Sequence, residues 1–332
     1  MNPVIQGLLN PDAIPGEAKS VRLIQTHISF VLIADDFVYK IKKPVELGFL
    51  DFSTLEKRKY YCHQEIELNS RFSHDLYIDV LPIFSDGKSY YIGEGEGEVV
   101  DYAVKMRRLS ENIIMKSLFE RGVLSQEHLK RIAEAIAGFH MKARRSDEID
   151  RFGDPDVFKF TTDENFKQTE KYIGLTIDEK DFKSLRDWTD NYFEDNKNVF
   201  FERIRSKKIR DCHGDLHMEH ICLTEPVSMF DCIEFNDRLR YTDTFADIGF
   251  LMMDLEYMGG KRLADALWKA YSEITGDGDM ISHLCFYKVY RAYVRGKVNS
   301  FQIDDEQIGS EGKERALKTA QKYFRLAGDY IL

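Results

Sequence analysis

Two acidic clusters past the middle of the chain carry the residue types that proton transfer and phosphate handling need. The stretch Arg210-Asp211-Cys212-His213-Gly214-Asp215-Leu216-His217-Met218-Glu219-His220-Ile221-Cys222-Leu223 reads as a loop holding an aspartate among histidines, leading into a short apolar strand. Met229-Phe230-Asp231-Cys232-Ile233-Glu234-Phe235 follows as a second strand with acidic residues toward its end. A hairpin that sets two such ends side by side suits one task well: one carboxylate takes a proton while others hold Mg²⁺ on phosphate oxygens. The pattern implies phosphoryl transfer. His213, Asp215, His217 and His220 could also be read as the metal cluster of a hydrolase, but the HxxxH starts in a loop and no second His/Asp motif with ligand spacing accompanies it.

The string HGDLHMEHI resembles the HGDxxxxN catalytic loop of the aminoglycoside phosphotransferase-like kinases, and Tyr241-Thr242-Asp243-Thr244-Phe245-Ala246-Asp247-Ile248-Gly249 resembles the GDPxxDLA segment that follows it in that family. The motifs run in family order from about Thr26 to Lys297. More narrowly, the chain is similar to a bacterial branch known as aminoglycoside phosphotransferase family enzymes, some of which carry a further P-loop ATPase domain. No GxxxxGK[ST] string occurs, so the resemblance is to that branch without the C-terminal ATPase domain.

The resemblance implies an α+β, protein-kinase-like two-lobed fold, with an antiparallel β-sheet small lobe and a mainly helical large lobe. It casts Asp215 as the base that orients the acceptor hydroxyl, His213 as an anchor of its loop, and Asp247 as a partner of the loop backbone. Lys40 takes the place of the strand lysine that grips the α- and β-phosphates, with Lys42 on the same strand face as runner-up. Glu65 is its ion-pair partner; Glu67 points some 200° away around the same helix. Ser29, in Thr26-His27-Ile28-Ser29, stands where kinases have a glycine-rich loop, and the backbone of Met106 to Arg108 is expected to meet the adenine. Asp231 and Glu234 both fit the metal-ligand position. His220 replaces the family's asparagine, which implies a single metal ion, a softer one such as Mn²⁺, or lost catalysis, because Mg²⁺ prefers oxygen donors. The implied cofactors are ATP or GTP with Mg²⁺, and the implied partner is a small hydroxylated molecule. A nucleotide-binding pseudokinase that regulates a partner is the alternative.

The elements that must position these residues are legible in part. After a Pro/Gly-punctuated leader over 1–20, strands are expected at VRLIQTH, SFVLIAD and FVYKIKK, then a capping box at Ser53-Thr54-Leu55-Glu56 opening a helix with Tyr60, Ile66 and Leu68 inward. Two further strands, near Ile78 to Phe84 and Tyr90 to Met106, give a five-stranded small lobe over 21–108, with Gly93-Glu94-Gly95-Glu96-Gly97 as a hairpin turn. The rest, 109–332, reads as a helical lobe holding the catalytic loop at 210–223 and the metal-binding strand at 229–236. Ile132, Ala133, Ile136 and Phe139 recur at helix spacing, and 147–205 reads as a charged helical insertion broken at Pro155. On the last long helices, Arg291 and Arg295 fall four apart on one face beside Tyr287 and Lys297, a pattern suited to an anionic group or to acidic neighbours.

Composition bounds the reading. A chain of 332 residues with 43% hydrophobic content can bury a sizeable core. The net charge of -10 argues against a nucleic-acid partner. Five cysteines form no CxxC pair, and no apolar run approaches the roughly 20 residues of a bilayer span, so a cytoplasmic protein without a membrane partner is expected.

Overall fold

The structure, a computed structural model, describes residues 2–332 apart from 17, 74, 306 and 307. Residues 1 and 17 of the leader therefore lie outside the described residues. In chain order the elements begin with α1 (Pro3–Gly7), β1 (Val21–Gln25), β2 (Ser29–Ala34), β3 (Phe37–Lys42), α2 (Leu55–Asn69), β4 (Tyr77–Ser85), β5 (Tyr90–Ile92) and β6 (Glu98–Arg107). Next come α3 (Met115–Glu120), α4 (Gln126–Lys142), α5 (Asp147–Asp150), α6 (Pro155–Thr169), α7 (Glu179–Asp195) and α8 (Lys197–Arg205). Then follow β7 (Ile209–Asp211), β8 (Ile221–Cys222), β9 (Ser228–Met229), α9 (Asp237–Arg240) and β10 (Tyr241–Asp243). The chain ends in α10 (Phe245–Tyr257), α11 (Lys261–Thr275), α12 (Ile281–Asp304) and α13 (Ser310–Asp329).

One compact unit comprises Met1–Leu118 with His220–Asp237, the other Phe119–Glu219 with Arg238–Leu332. The units interleave along the chain, and the segment carrying Asp231 and Glu234 packs with the sheet. That sheet is antiparallel in the order β1-β2-β3-β6-β4-β5. It has six strands where five were expected, because the segment from Tyr90 to Met106 divides at the GEGEG turn. Gly97 closes that turn at φ +121°, where a Cβ would fall 2.1 Å from the Ser85 carbonyl oxygen, so only glycine fits.

Alternation assigns the two faces of the sheet. Phe30, Leu32, Tyr39, Ile41 and Ala103 bury on one face against Ile5, Leu8, Ala13 and Ile14, so much of the leader is a cover for the sheet. The other face carries Ser29, Lys40, Lys42 and Val104, with Ser29 opposite Lys42 and Lys40 opposite Val104. Helix α2 lies over this face, capped by Thr54, whose Oγ1 accepts from the Lys57 amide at 3.2 Å. The cap is thus Thr54 and not Ser53. Tyr60, expected inward, is 58% exposed. The buried face of α2 carries Arg58, Cys62, Glu65, Leu68 and Asn69 because it meets charged strand residues as well as apolar ones.

The second unit is helical. Ile132, Ala133, Ile136 and Phe139 of α4 are all buried, as their spacing predicts. Ser125 Oγ accepts from the His128 amide at 3.2 Å while His128 Nδ1 accepts from the Ser125 amide at 3.2 Å, a capping box with histidine in the usual acid's place. Pro155 starts α6, where its missing amide is not needed. Phe166, Leu185, Phe250, Val289, Tyr293, Ala320 and Phe324 join α6, α7, α10, α12 and α13 in one apolar cluster. β7 pairs antiparallel with β10 and frames the approach to the loop at 212–217. Among the described residues no helix is long and apolar enough to cross a membrane, and none of the five cysteines is joined in a disulfide.

Candidate active site

In the first unit, five charged side chains from three segments form one network. Lys40 Nζ donates to Glu65 Oε1 at 2.8 Å and to Asp231 Oδ1. Lys42 Nζ donates to Glu65 Oε2 at 2.7 Å and to Glu234 Oε1. Each oxygen of Glu65 therefore holds one lysine, and each lysine holds one further acid. The strand period sets this up: residues 40 and 42 project from the same face of β3 toward α2.

Burial divides the network. The side chains of Glu65, Lys42 and Glu234 are 0%, 1% and 4% exposed, Lys40 is 13% exposed, and Asp231 is 41% exposed. Burial would lift the Glu65 carboxyl, but the ammonium groups of Lys40 and Lys42 outweigh it and hold Glu65 below the usual carboxylate range. Burial pushes Glu234 up against the pull of Lys42. Burial opposes the Lys40 charge, yet Asp231, Glu65 and Glu234 hold its ammonium well above the ordinary value. Two cations face three carboxylates, and the surplus negative charge emerges at Asp231, the one exposed member.

Asp231 is fixed from several sides. Its backbone has φ +61°, the left-handed region that aspartate tolerates better than most residues. The β strand expected over 229–236 is accordingly confined to Ser228–Met229, and the chain turns sharply as it leaves β9. The Asp231 amide donates to Tyr77 Oη at 3.0 Å, and the Cys232 amide donates to Asn69 Oδ1 at 3.0 Å. Asn69 Nδ2 in turn donates to the Glu65 carbonyl at 2.8 Å, tying the loop to α2. Sequence reasoning missed Tyr77 and Asn69. Asn69 had a signal, since it lies four residues after Glu65 on the same helix face. His220 Nε2 lies 3.5 Å from Asp231 Oδ2.

The remaining nucleotide-binding candidates are also in this unit. Ser29 is buried, its amide donates to Thr26 Oγ1 at 3.0 Å, and its own Oγ has no hydrogen-bond partner. That hydroxyl is shielded from solvent on the sheet face that carries Lys40 and Lys42. Met106 sits in β6 between Val38 and Tyr77. The amides of Arg107 and Arg108 donate to the carbonyls of Leu76 and Asp36, both at 2.8 Å. Neither amide is available to a base edge.

In the second unit, the loop at 212–217 is held by its backbone. Asp247 Oδ2 accepts from the His213 amide at 2.7 Å and Oδ1 from the Gly214 amide at 2.9 Å. His140 Nε2 lies 3.3 Å from the same Oδ2, and its Nδ1 is 2.9 Å from Tyr271 Oη. Burial would raise the Asp247 carboxyl, but His140, His213 and Arg291 hold it down at about 2. The expected role of Asp247 as a clamp on the loop backbone is what the structure contains. Gly214 takes φ +84° to make the turn, and the Asp215 amide donates to Nδ1 of the buried His213 at 3.3 Å. Asp215 itself is partly exposed, with His217 Nε2 at 3.6 Å from its Oδ2. A carboxylate presented on a backbone so tightly clamped can receive a proton without the loop having to reorganise.

No family model matches the chain. Uncharacterized proteins of Mycobacterium tuberculosis and Mycobacterium bovis are each 31% identical over 309 residues, covering 92% of this chain and 59% of their own. The chain spans about three fifths of the length of these curated relatives. A choline/ethanolamine kinase family protein from Mesorhizobium loti superimposes with a TM-score of 0.50 at 11% identity, over 98% of each chain. A choline kinase from Streptococcus pneumoniae gives 0.48 at 11% identity over 93% of this chain and 94% of its own. A Ralstonia eutropha protein provisionally described as an aminoglycoside phosphotransferase gives 0.46 at 13% over 98% of each. The likeness to the Mesorhizobium loti protein shows a kinase-like fold, an antiparallel sheet joined to a mainly helical part.

Proposed function

We propose that this chain, with its kinase-like fold, is an ATP-dependent O-phosphotransferase acting on the hydroxyl of a small molecule. One observation carries the reading: a buried Lys40–Glu65 pair that touches an exposed, left-handed Asp231. Burying such a network is costly, and a stable apolar packing would serve the fold as well. Its use is to present a fixed ammonium to phosphate oxygens and a surplus negative charge to a cation.

Asp231 is the carboxylate fitted to hold Mg²⁺, because it alone in the network is open to solvent and offers hard oxygen donors. Glu234 is buried on Lys42 and acts through that lysine, which bonds Glu65, as a positioning residue. His220, beside Asp231, adds an imidazole donor that suits Mn²⁺ better than Mg²⁺. The bound cation supplies charge neutralisation on the phosphate oxygens. Lys40 orients those oxygens, Asp215 orients the acceptor hydroxyl and takes its proton, and His213 and Asp247 hold the Asp215 loop. With the amides of Arg107 and Arg108 engaged, any contact of the Met106–Arg108 backbone with a purine falls to its carbonyl groups. The imidazole at 220 and the solvent-shielded Ser29 hydroxyl favour a second reading, a nucleotide-binding pseudokinase.

One experiment separates the readings. Thermal unfolding is followed with ATP or GTP and Mg²⁺ or Mn²⁺, and γ-labelled nucleotide is then offered with a metabolite extract. The expected result is a metal-dependent upward shift and labelled product, with transfer reduced by about 10²–10⁴-fold in Asp215→Asn. A shift without product establishes the pseudokinase, and no shift with any nucleotide and metal overturns both readings.

A further inference from the structure

Arg295, partly buried on α12, is the one arginine among the described residues whose Nε is shielded without a hydrogen-bond partner, although its guanidinium bonds the Tyr323 side chain. The buried arginines are matched: Arg58 Nε donates to Asp101 at 2.8 Å, Arg203 to Asp243 at 2.7 Å and Asp277 at 2.7 Å, and Arg240 to Asp211 at 2.7 Å. Even Arg291, one turn earlier on the same helix, donates Nε to the Ala246 carbonyl at 3.0 Å. The Nε of Arg295 is fully shielded and has no hydrogen-bond partner. Its guanidinium rests between aromatic faces, with Cζ 6.0 Å from the Phe250 ring centre and 5.5 Å from that of Tyr323. Such stacking holds a guanidinium plane in place, and a fixed guanidinium matches the geometry of a planar anion. A shielded donor with no acceptor is rare in a folded protein and calls for a partner.

The place of this cation in the second unit gives it meaning. Asp215 lies 3.6 Å from His217, the His217 ring lies 5.5 Å from the Phe250 ring, and Phe250 carries Arg295. Asp254, one helical turn beyond Phe250, accepts from the Met218 amide at 3.0 Å and so ties the same loop to α10. Burial disfavours charge on Arg295, but Tyr323, Asp215 and Asp254 outweigh it and keep the guanidinium ionised. A fixed, ionised guanidinium with one unsatisfied donor thus stands within electrostatic reach of the carboxylate proposed to take the acceptor's proton.

We propose that Arg295 is a specificity-determining residue that binds an anionic group of the acceptor, so that the molecule phosphorylated is a hydroxylated carboxylate or phosphate ester and not an amine. The word acceptor rests on the phosphotransferase reading; the anion site itself does not. Choline and ethanolamine, named in the descriptions of structures sharing this fold, carry the opposite charge.

The test uses the full chain and matched probes. D-glycerate, D-gluconate, glycerol 3-phosphate and glucose 6-phosphate are titrated calorimetrically and in thermal unfolding, against glycerol, glucose, choline and ethanolamine. At least one anion should bind and raise the melting temperature where its uncharged counterpart does not. Arg295→Gln should weaken that anion by about tenfold or more, and Arg295→Lys, which keeps the charge but not the fork, by less. Because Arg295→Gln can be poorly folded, circular dichroism accompanies both variants and the wild-type panel decides independently. Binding of choline or ethanolamine in preference to every anion, no binding by any anion, or equal anion affinity in folded Arg295→Gln each overturns the proposal. A failed phosphotransferase reading shows itself separately, as the absence of any ATP-dependent shift in samples that still bind the anion.

Discussion

Asp231 and Glu234 differ by three positions in sequence and by nearly all of their access to solvent, and this difference separates their roles. Exposure makes Asp231 a carboxylate that can meet a cation, whereas Glu234 balances a lysine that is 1% exposed. Asp231→Asn should leave the melting temperature within a few degrees of the parent and abolish the metal dependence of the nucleotide-induced shift. Glu234→Gln should do the reverse, destabilising the fold by on the order of 3 kcal/mol because it uncovers a buried ammonium. Urea unfolding and nucleotide titration with and without Mg²⁺ on the two variants check this. Equal loss of stability in both, or loss of metal dependence in Glu234→Gln alone, would reverse the assignment. Similar logic separates His213 from Asp215: the first is buried and accepts a backbone bond, the second is partly open.

At the scale of elements, helices α2 and α12 each bury groups that helix periodicity alone would assign to solvent. The inward face of α2 holds Arg58, Glu65 and Asn69, and Tyr60 is outside, because this helix delivers a charge and not an apolar stripe. Near the start of α12, His283 is enclosed by Phe200, Phe245, Phe286 and Tyr287. Its Nδ1 is 3.1 Å from Tyr192 Oη, and its Nε2 has no hydrogen-bond partner. Burial lowers this imidazole to about 4, with Asp243 opposing and Arg203 reinforcing the shift. The sign follows from linkage: the unfolded chain takes up a proton near pH 6.5, while the folded chain resists it until about pH 4. Stability contributed by neutral His283 is therefore complete above pH 6.5 and is lost as the pH falls toward 4, by roughly 3 kcal/mol in all. Urea unfolding at several pH values should show this slope in the parent and lose it in His283→Phe. The same slope in both would place the titration elsewhere. Asp247, held at about 2, contributes in a lower window, full above about pH 4 and lost as the pH falls through 2.

For the whole molecule, the leader bears on stability. Ile5, Leu8 and Ile14 are almost fully buried against β2, β3 and β6. At about 2 kcal/mol for each buried aliphatic side chain, their removal withdraws about 6 kcal/mol, a large share of the stability of an ordinary domain. Deleting residues 1–18 should therefore lower the melting temperature by more than 10 °C, a magnitude that follows from roughly 2–4 °C per kcal/mol at this size. Binding of a dye that reports exposed apolar surface should also rise. An unchanged melting temperature would mean that the segment is only laid on the sheet. The interleaving of the two units along the chain has a similar lesson: the turn carrying Asp231 belongs with strands that precede it by some 190 residues.

What the sequence by itself determined was local. Alternation in VRLIQ, SFVLIA and FVYKIK set the first three strands, and apolar spacing in α4 set its buried face, because both follow from the geometry of a few consecutive residues. The HGD string and Asp247 were legible through a resemblance of motifs, and the structure supplies the physical reason, two adjacent amides of a tight glycine turn held by one carboxylate. Tertiary structure alone decided which of Asp231 and Glu234 faces solvent, that Lys42 shares Glu65 with Lys40, that the Ser29 hydroxyl is shielded, that the amides of Arg107 and Arg108 are engaged, and that the leader covers the sheet. It also decided that the Arg295 Nε lies shielded without a hydrogen-bond partner. Each of these depends on pairings such as Lys42 with Glu234, 192 residues apart, and on the burial that packing imposes. Neither distance across the fold nor access to water is encoded in the spacing of neighbouring residues.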